Sequence, residues 1–256
     1  MAESVKSAER ALLVLELLTE QVDGLTFTEI CEALNLPKSS AHALLATMCA
    51  RGFLGVTADD RRYVLGVRTW EIGQAYRAGN TLERSHGPFL RAVRNELNES
   101  VQLAVLDGLD NVYVASEEAQ QQVVLNAGIG IGLRRPAYAT AVGKVLLSGL
   151  DDSEVRHRFA GLRLRSYTQG AVTDLGHLLV ELAEVRQRGH AVDNGEFTTG
   201  VFCVAVPVRD HTGAVCAGMS VSVPAFRVTP EVRKQARAVV GAQADALSAH
   251  LGYRTS

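Results

Sequence analysis

The chain has 256 residues, of which 47% are hydrophobic and 21% charged, with a formal net charge of −2. It is long enough for two domains and has an ordinary soluble composition. It offers no apolar run of about 18 residues to span a membrane, and its start, Met1-Ala2-Glu3-Ser4-Val5-Lys6, is not that of a signal peptide. Cys31, Cys49, Cys203 and Cys216 form no C-x-x-C pair. Reduced thiols in a cytoplasm are therefore expected, with no disulfide frame, no metal site and no cofactor.

In chain order, Ala8, Ala11, Leu12, Leu15 and Leu18 share one face of a first helix over 7–18. Thr26-Phe27-Thr28-Glu29 is a capping-box pattern opening a shorter helix that runs to about Leu34. Asn35-Leu36-Pro37 breaks the chain: Asn closes a helix in a left-handed turn, and Pro suits the start of the next. In that next helix Ala41, Leu44, Leu45 and Met48 form a buried stripe at i, i+3, i+4, i+7. Lys38, Ser39, Ser40, His42, Ala43 and Thr47 lie off it, short, polar or positive, as a face lying in a DNA groove would be. Two short helices across a tight turn make a helix-turn-helix.

Gly52-Phe53-Leu54-Gly55-Val56 and Arg62-Tyr63-Val64-Leu65 alternate as strands around a polar turn, a wing carrying Arg61 and Arg62 toward a phosphate or the minor groove. A solvated hairpin tip is the plain alternative. Residues 1–80 hold eight Lys/Arg against ten Asp/Glu, which weighs against a DNA footprint. Glu9, Glu16, Glu20, Glu29 and Glu32, however, sit on the first two helices, and Lys38, Arg51, Arg61 and Arg62 lie on the recognition helix or after it. A linker helix over 67–78 with Trp70, Ile72 and Tyr76 ends at Gly79-Asn80. The division expected is 1–66, a winged helix-turn-helix; 67–80, a linker helix; and 81–256, a second domain.

That second domain mixes helices and strands. A helix is expected over 82–97, kinked or split at Pro88, then strands over 100–106, 112–116 and 122–125. Helices follow over 140–150, with Thr140 as N-cap, over 155–159 and over 173–188. Long strands over 201–209 and 214–223 join through Asp210-His211-Thr212-Gly213, and a last helix covers 229–250 from Pro230. The pattern is α+β. Gly128-Ile129-Gly130-Ile131-Gly132 opens no helix and reads as a mobile loop over a pocket rather than a nucleotide fingerprint.

Three separated stretches resemble the IclR family of bacterial transcriptional regulators. They are Leu36-Pro37-Lys38-Ser39-Ser40-Ala41-His42 with Gly52-Phe53, then Ala139-Thr140-Ala141-Val142-Gly143-Lys144, then 189–208 with Ser220-Val221-Ser222. The resemblance covers nearly the whole chain in order. It implies a winged helix-turn-helix on double-stranded operator DNA, a linker helix, and a GAF-like α/β domain that binds a small organic acid. It also implies a homodimer or a dimer of dimers. The matching effector positions are Ala141, Val142, Asp193, Cys203, Ser220 and Ser222. The chain departs from the family pattern at Ala43, where the recognition helix usually carries arginine, and at Val223, where a glycine is common. Ala141 and Val142 are also larger than the residues of some glyoxylate- or pyruvate-responsive members.

The residues fit that reading chemically. A helix beginning after Thr140 with small side chains presents free backbone N–H groups and a positive dipole end to a carboxylate or keto acid. Period-2 alternation places Cys203 and Ala205 on one face, opposite Phe202, Val204, Val206 and Val208, and sets Ser220 and Ser222 together. Plain alternatives stand beside each: Cys203 as a small buried hydrophobe, the serines facing solvent, Asp193 as a turn residue. Lys144 is read as snorkelling to a local acid rather than as a ligand, and His42 has a surface alternative. No G-x-S-x-G, P-loop or H-E-x-x-H motif occurs, so no catalytic residue is expected. Two other functions stay open, an adaptor that senses a ligand without reading DNA and a Cys-dependent enzyme acting on a small carboxylate.

Overall fold

The structure, a computed structural model, describes residues 5–119 and 130–254. The strand expected over 122–125 and the first two residues of the glycine loop lie outside the described residues. The chain divides into two compact units, Met1–Asn80 and Thr81–Ser256.

The first unit runs α1 (Lys6–Thr19), α2 (Phe27–Ala33), α3 (Lys38–Ala50), β1 (Leu54–Val56), β2 (Tyr63–Leu65) and α4 (Val67–Gly79). The capping box closes as its pattern requires: Glu29 N–H donates to Thr26 Oγ1 at 3.3 Å, and Thr26 N–H donates to Glu29 Oε2 at 2.7 Å. Asn35, at φ 48°, makes the left-handed break before Pro37. Val14, Leu18, Ile30, Ala41, Leu45, Met48 and Leu54 form one small core, and α3 thus turns its other side outward. The wing is shorter than its sequence suggested, starting at Leu54. Gly52, at φ +76°, is spent on the turn out of α3. No residue of α4 is buried, and Trp70 is 64% exposed.

The second unit holds α5 (Thr81–Ser85), α6 (Gly87–Leu97), β3 (Ser100–Asp107), β4 (Asp110–Glu117), β5 (Arg134–Pro136), α7 (Ala141–Ser148), α8 (Asp152–Arg158), α9 (Leu175–Arg188), β6 (Ala191–Asn194), β7 (Val201–Arg209), β8 (Val215–Pro224) and α10 (Pro230–His250). Pro88 splits the helix expected over 82–97, since it cannot donate within the α6 ladder and sits in the first turn. The six strands pair antiparallel in the order β5-β4-β3-β8-β7-β6. The two outermost strands, β5 and β6, went unread in the sequence; at three and four residues they are too short to show a period.

Helices cover both faces of this sheet. Leu90 and Val93 of α6 and Val239, Val240 and Leu247 of α10 bury the face of Val204, Val206, Met219 and Val221. The other face, with Ala104, Tyr113, Ala191 and Ala205, takes α7 through Ala141, Val142, Val145 and Leu146. Leu147 on the far side of α7 packs with Leu178, Leu179 and Leu182 of α9, so α7 is sandwiched. Two glycines make that depth possible. A Cβ on Gly218 would stand 2.7 Å from Val142 Cγ2, and one on Gly143 would stand 2.2 Å from Ala137 O. No helix among the described residues is long and apolar enough to cross a membrane.

Candidate functional site

Two regions carry the residues singled out by sequence. On α3, Ala41, Leu45 and Met48 are buried, while Lys38, Ser39, Ser40, His42, Ala43 and Thr47 are all exposed. Two hydroxyls are tied to their own helix: Ser40 Oγ donates to Pro37 O at 3.0 Å, and Thr47 Oγ1 donates to Ala43 O at 2.7 Å. His42 meets the edge of Phe27 at 6.2 Å. Lys38 and Ser39 open the helix, where a groove-reading helix presents its first turn.

The wing arginines divide. Arg61 is exposed at the tip, at φ 53°. Arg62 turns inward: its Nε donates to Asp60 Oδ2 at 2.7 Å, and its Nη1 to Gly24 O at 3.0 Å and Glu29 Oε2 at 3.3 Å. Arg62 thus fastens the wing to the capping box of α2, an engagement that the sequence did not reveal.

The second region is a cavity of about 30 Å³ at the start of α7. All six residues matched to an effector site line it, together with Tyr113, Arg135, Thr140, Phe197, Thr198 and Val201. Strand register is the reason they meet. Asp193 pairs with Cys203, and Cys203 with Ser222, which sets three side chains in one row across β6, β7 and β8. Asp193 is therefore a strand residue, whose carboxylate also anchors the turn that follows by accepting from Glu196 N–H. Ser220 and Ser222 are 4% and 2% exposed, so neither faces solvent.

Polar order runs beneath the row. Ser222 Oγ lies 3.3 Å from Cys203 Sγ and donates to Gln102 Oε1 at 3.2 Å; Ser220 Oγ donates to the same oxygen at 3.5 Å. Gln102 Nε2 is buried with no acceptor among the described residues. At the rim Thr140 caps α7: its Oγ1 accepts from Gly143 N–H at 3.0 Å and donates to Asn111 Oδ1 at 2.7 Å. That leaves the N–H groups of Ala141 and Val142, the first helical residues, without an intrahelical acceptor and at the positive end of the helix. Arg135 places its guanidinium 5.4 Å from the centre of the Phe197 ring.

Burial governs the titrating groups here. It pushes Asp193 up to about 6, against the lowering effect of the Glu196 N–H, which donates to Asp193 Oδ1 at 2.6 Å. It pushes the Cys203 thiol up to about 12 and the Tyr113 phenol upward too. A thiol so raised stays protonated at neutral pH and is a poor nucleophile. Lys144, behind the cavity on α7, is not the snorkelling side chain expected. It is 0% exposed, and its Nζ donates to Glu181 Oε1 at 2.7 Å and Glu196 Oε2 at 2.5 Å. Both acids are distant in sequence, which is why no local pairing foretold them.

Gln102, Tyr113, Arg135, Phe197 and Thr198 were missed. Tyr113 and Gln102 sit at inward positions of alternating strands, a signal that could have raised them. Arg135, on a three-residue edge strand, offered none.

Comparison with known proteins covers both regions. A family model described as bacterial transcriptional regulator IclR C-terminal matches residues 74–249, and one described as IclR helix-turn-helix domain matches residues 7–57. The HTH-type transcriptional regulator XynR of Escherichia coli K12 is 32% identical over 249 residues, covering 97% of this chain and 98% of its own. Among solved structures, an IclR transcriptional regulator from Alicyclobacillus acidocaldarius superposes with a TM-score of 0.86 at 27% identity. It covers 98% of this chain and 100% of its own. An IclR homolog from Microbacterium hydrocarbonoxydans complexed with 4-hydroxybenzoate shares the fold, with a TM-score of 0.82 at 24% identity over 96% of this chain and 98% of its own.

Proposed function

The chain belongs to the IclR family of bacterial transcriptional regulators, DNA-binding proteins rather than enzymes, and on that premise we propose that a small carboxylate or keto acid gates its operator binding. The observation that carries the proposal is the start of α7. Two N–H groups without helical acceptors, the dipole end and the Arg135 guanidinium surround a cavity whose far wall is two serine hydroxyls and a phenol. Such a site stabilises an anion with hydrogen-bonding substituents. At about 30 Å³ the cavity would have to open for any such acid, and furthest for a benzoate such as the one complexed with the Microbacterium homolog.

On the DNA side, Lys38, Ser39, Ser40, His42 and Thr47 of α3 would lie in the major groove, with Arg61 at a backbone phosphate. The exposed Trp70, Ile72 and Tyr76 on α4 support pairing with a second copy, which would present two recognition helices to a two-fold operator. Acid binding would shift the population of paired arrangements and so the half-site spacing that fits.

The test selects bound duplexes from a random library and then titrates glyoxylate, pyruvate and 4-hydroxybenzoate against the recovered operator. A palindrome with half-sites about one helical turn apart, and an affinity that moves with one of these acids, are expected. An affinity indifferent to all three sinks the gating claim.

A further inference from the structure

The sheet has a second built concavity, on the face opposite the α7 cavity and at the same edge. Alternation along β6 and β7 sends Asp193 and Cys203 to one side and Val192, Phe202 and Val204 to the other. Val192, Phe202 and Val204 floor a groove of about 300 Å³ roofed by α10. That volume is within the range of small-molecule sites.

The groove's walls are cationic. Arg233, Lys234 and Arg237 of α10 and His190 line it, and no carboxylate does so among the described residues. Arg233 is held in place: its guanidinium stacks 4.2 Å from the centre of the Phe202 ring, and its Nη1 donates to Asn194 Oδ1 at 2.8 Å. A guanidinium held by stacking and one hydrogen bond is already ordered for an oxyanion. His190 Nδ1 lies 3.0 Å from Arg188 O, which orients the ring and leaves Nε2 as the second nitrogen. Burial and the positive charges of Arg188 and Arg237 hold the imidazole below its usual range. Arg188 has its own acid in Glu184, at 3.9 Å and outside the groove lining.

We propose that this groove is a second ligand site, taking an anion on a small apolar body, either a carboxylate or a phosphate monoester. The anionic group meets Arg233, Arg237 and Lys234, and the apolar part lies on Val192 and Val204. It is distinct from the α7 cavity and shares only the strands between them.

The full-length chain with ¹³C-labelled histidine provides the test, with the His190 resonance assigned through His190→Gln. Phenyl phosphate and benzoate are the probes, and inorganic phosphate is the control. An anion beside the ring favours its charged form, so the His190 titration midpoint should rise by about one unit with phenyl phosphate or benzoate. Arg233→Gln with Arg237→Gln should abolish the rise and Lys234→Gln should lessen it, and all three positions are exposed. A midpoint unmoved by either probe overturns the proposal, as does an equal rise in the charge-removed variants. A response to inorganic phosphate as strong as to phenyl phosphate overturns the apolar part. A midpoint that follows protein concentration instead of probe would make the groove a contact between copies, and overturns it as well.

Discussion

The two short helices proposed to carry the binding, α3 and α7, solve opposite problems. α3 packs one stripe on a small core and leaves the rest in water, so its candidate interface is a single surface. α7 is buried from Ala141 through Leu147, and only its first turn meets a cavity. An exposed reading head can be made by one helix; a buried anion site needs strands on one side and helices on the other. The first tolerates substitution on its outer face, whereas the second couples every side chain to the stability of its unit.

The sharpest break of that contrast is Lys144→Met. It leaves Glu181 and Glu196 without their buried cation, and a loss of about 3–5 kcal/mol in the unit of residues 81–256 is expected from urea unfolding. A loss below about 1 kcal/mol would mean that the triad behaves as a surface pair. Thr140→Val comes next. Losing the α7 cap and orphaning Asn111 Oδ1 should cost about 1–2 kcal/mol and weaken acid binding as the first turn frays. Ser40→Ala on α3, whose hydroxyl only returns to its own helix, should stay within about 0.5 kcal/mol. Similar losses for both hydroxyls would erase the distinction between the two helices.

Asp193 gives the same contrast in pH. Burial raises its folded pKa to about 6 above the ordinary carboxylate value of 3.8. As pH rises from about 4 to about 6 the unfolded chain ionises first, so the folded state loses stability across that window and none beyond it. An entering carboxylate favours protonated Asp193, so acid affinity should fall as pH rises through 6. Asp193→Asn keeps the acceptor for Glu196 N–H and should flatten that profile in calorimetric titrations at pH 5 and 7. An unchanged slope in the variant would remove Asp193 from the site.

The smallest effects separate the wing arginines. Arg61→Ala should lower the slope of log affinity against log salt by about 1. Arg62→Ala should leave the slope alone and lower the melting temperature, since Arg62 clamps the wing to α2. The reverse assignment of the two effects would contradict the geometry described here.

Legibility in the sequence followed locality. The capping box at Thr26 and Glu29, the Asn35 break and the buried stripe of α3 lie within a few residues of one another, and periodicity revealed them. Alternation along the long strands β7 and β8 showed which residues share a face and the small residues after Thr140 marked the start of α7, but the resemblance supplied the six effector positions, Asp193 and Cys203 among them. Arg135, Phe197 and the partners of Lys144 depend on which strand ends beside which helix, and no short window of sequence holds that information. Arg62 was drawn inward partly for the same reason: beside the local Asp60, its partners Gly24 and Glu29 lie more than thirty residues upstream.

The central claim, that the α7 cavity governs the DNA-reading face, is tested most directly by linkage. Operator affinity of the full chain is measured with and without the responsive acid, and acid affinity with and without operator. Coupling between two sites is reciprocal, so the account predicts that the two ratios agree and exceed about fivefold, and that Ala141→Leu, which fills the cavity mouth, collapses both toward one. An acid that binds the cavity tightly while both ratios stay at one would contradict it.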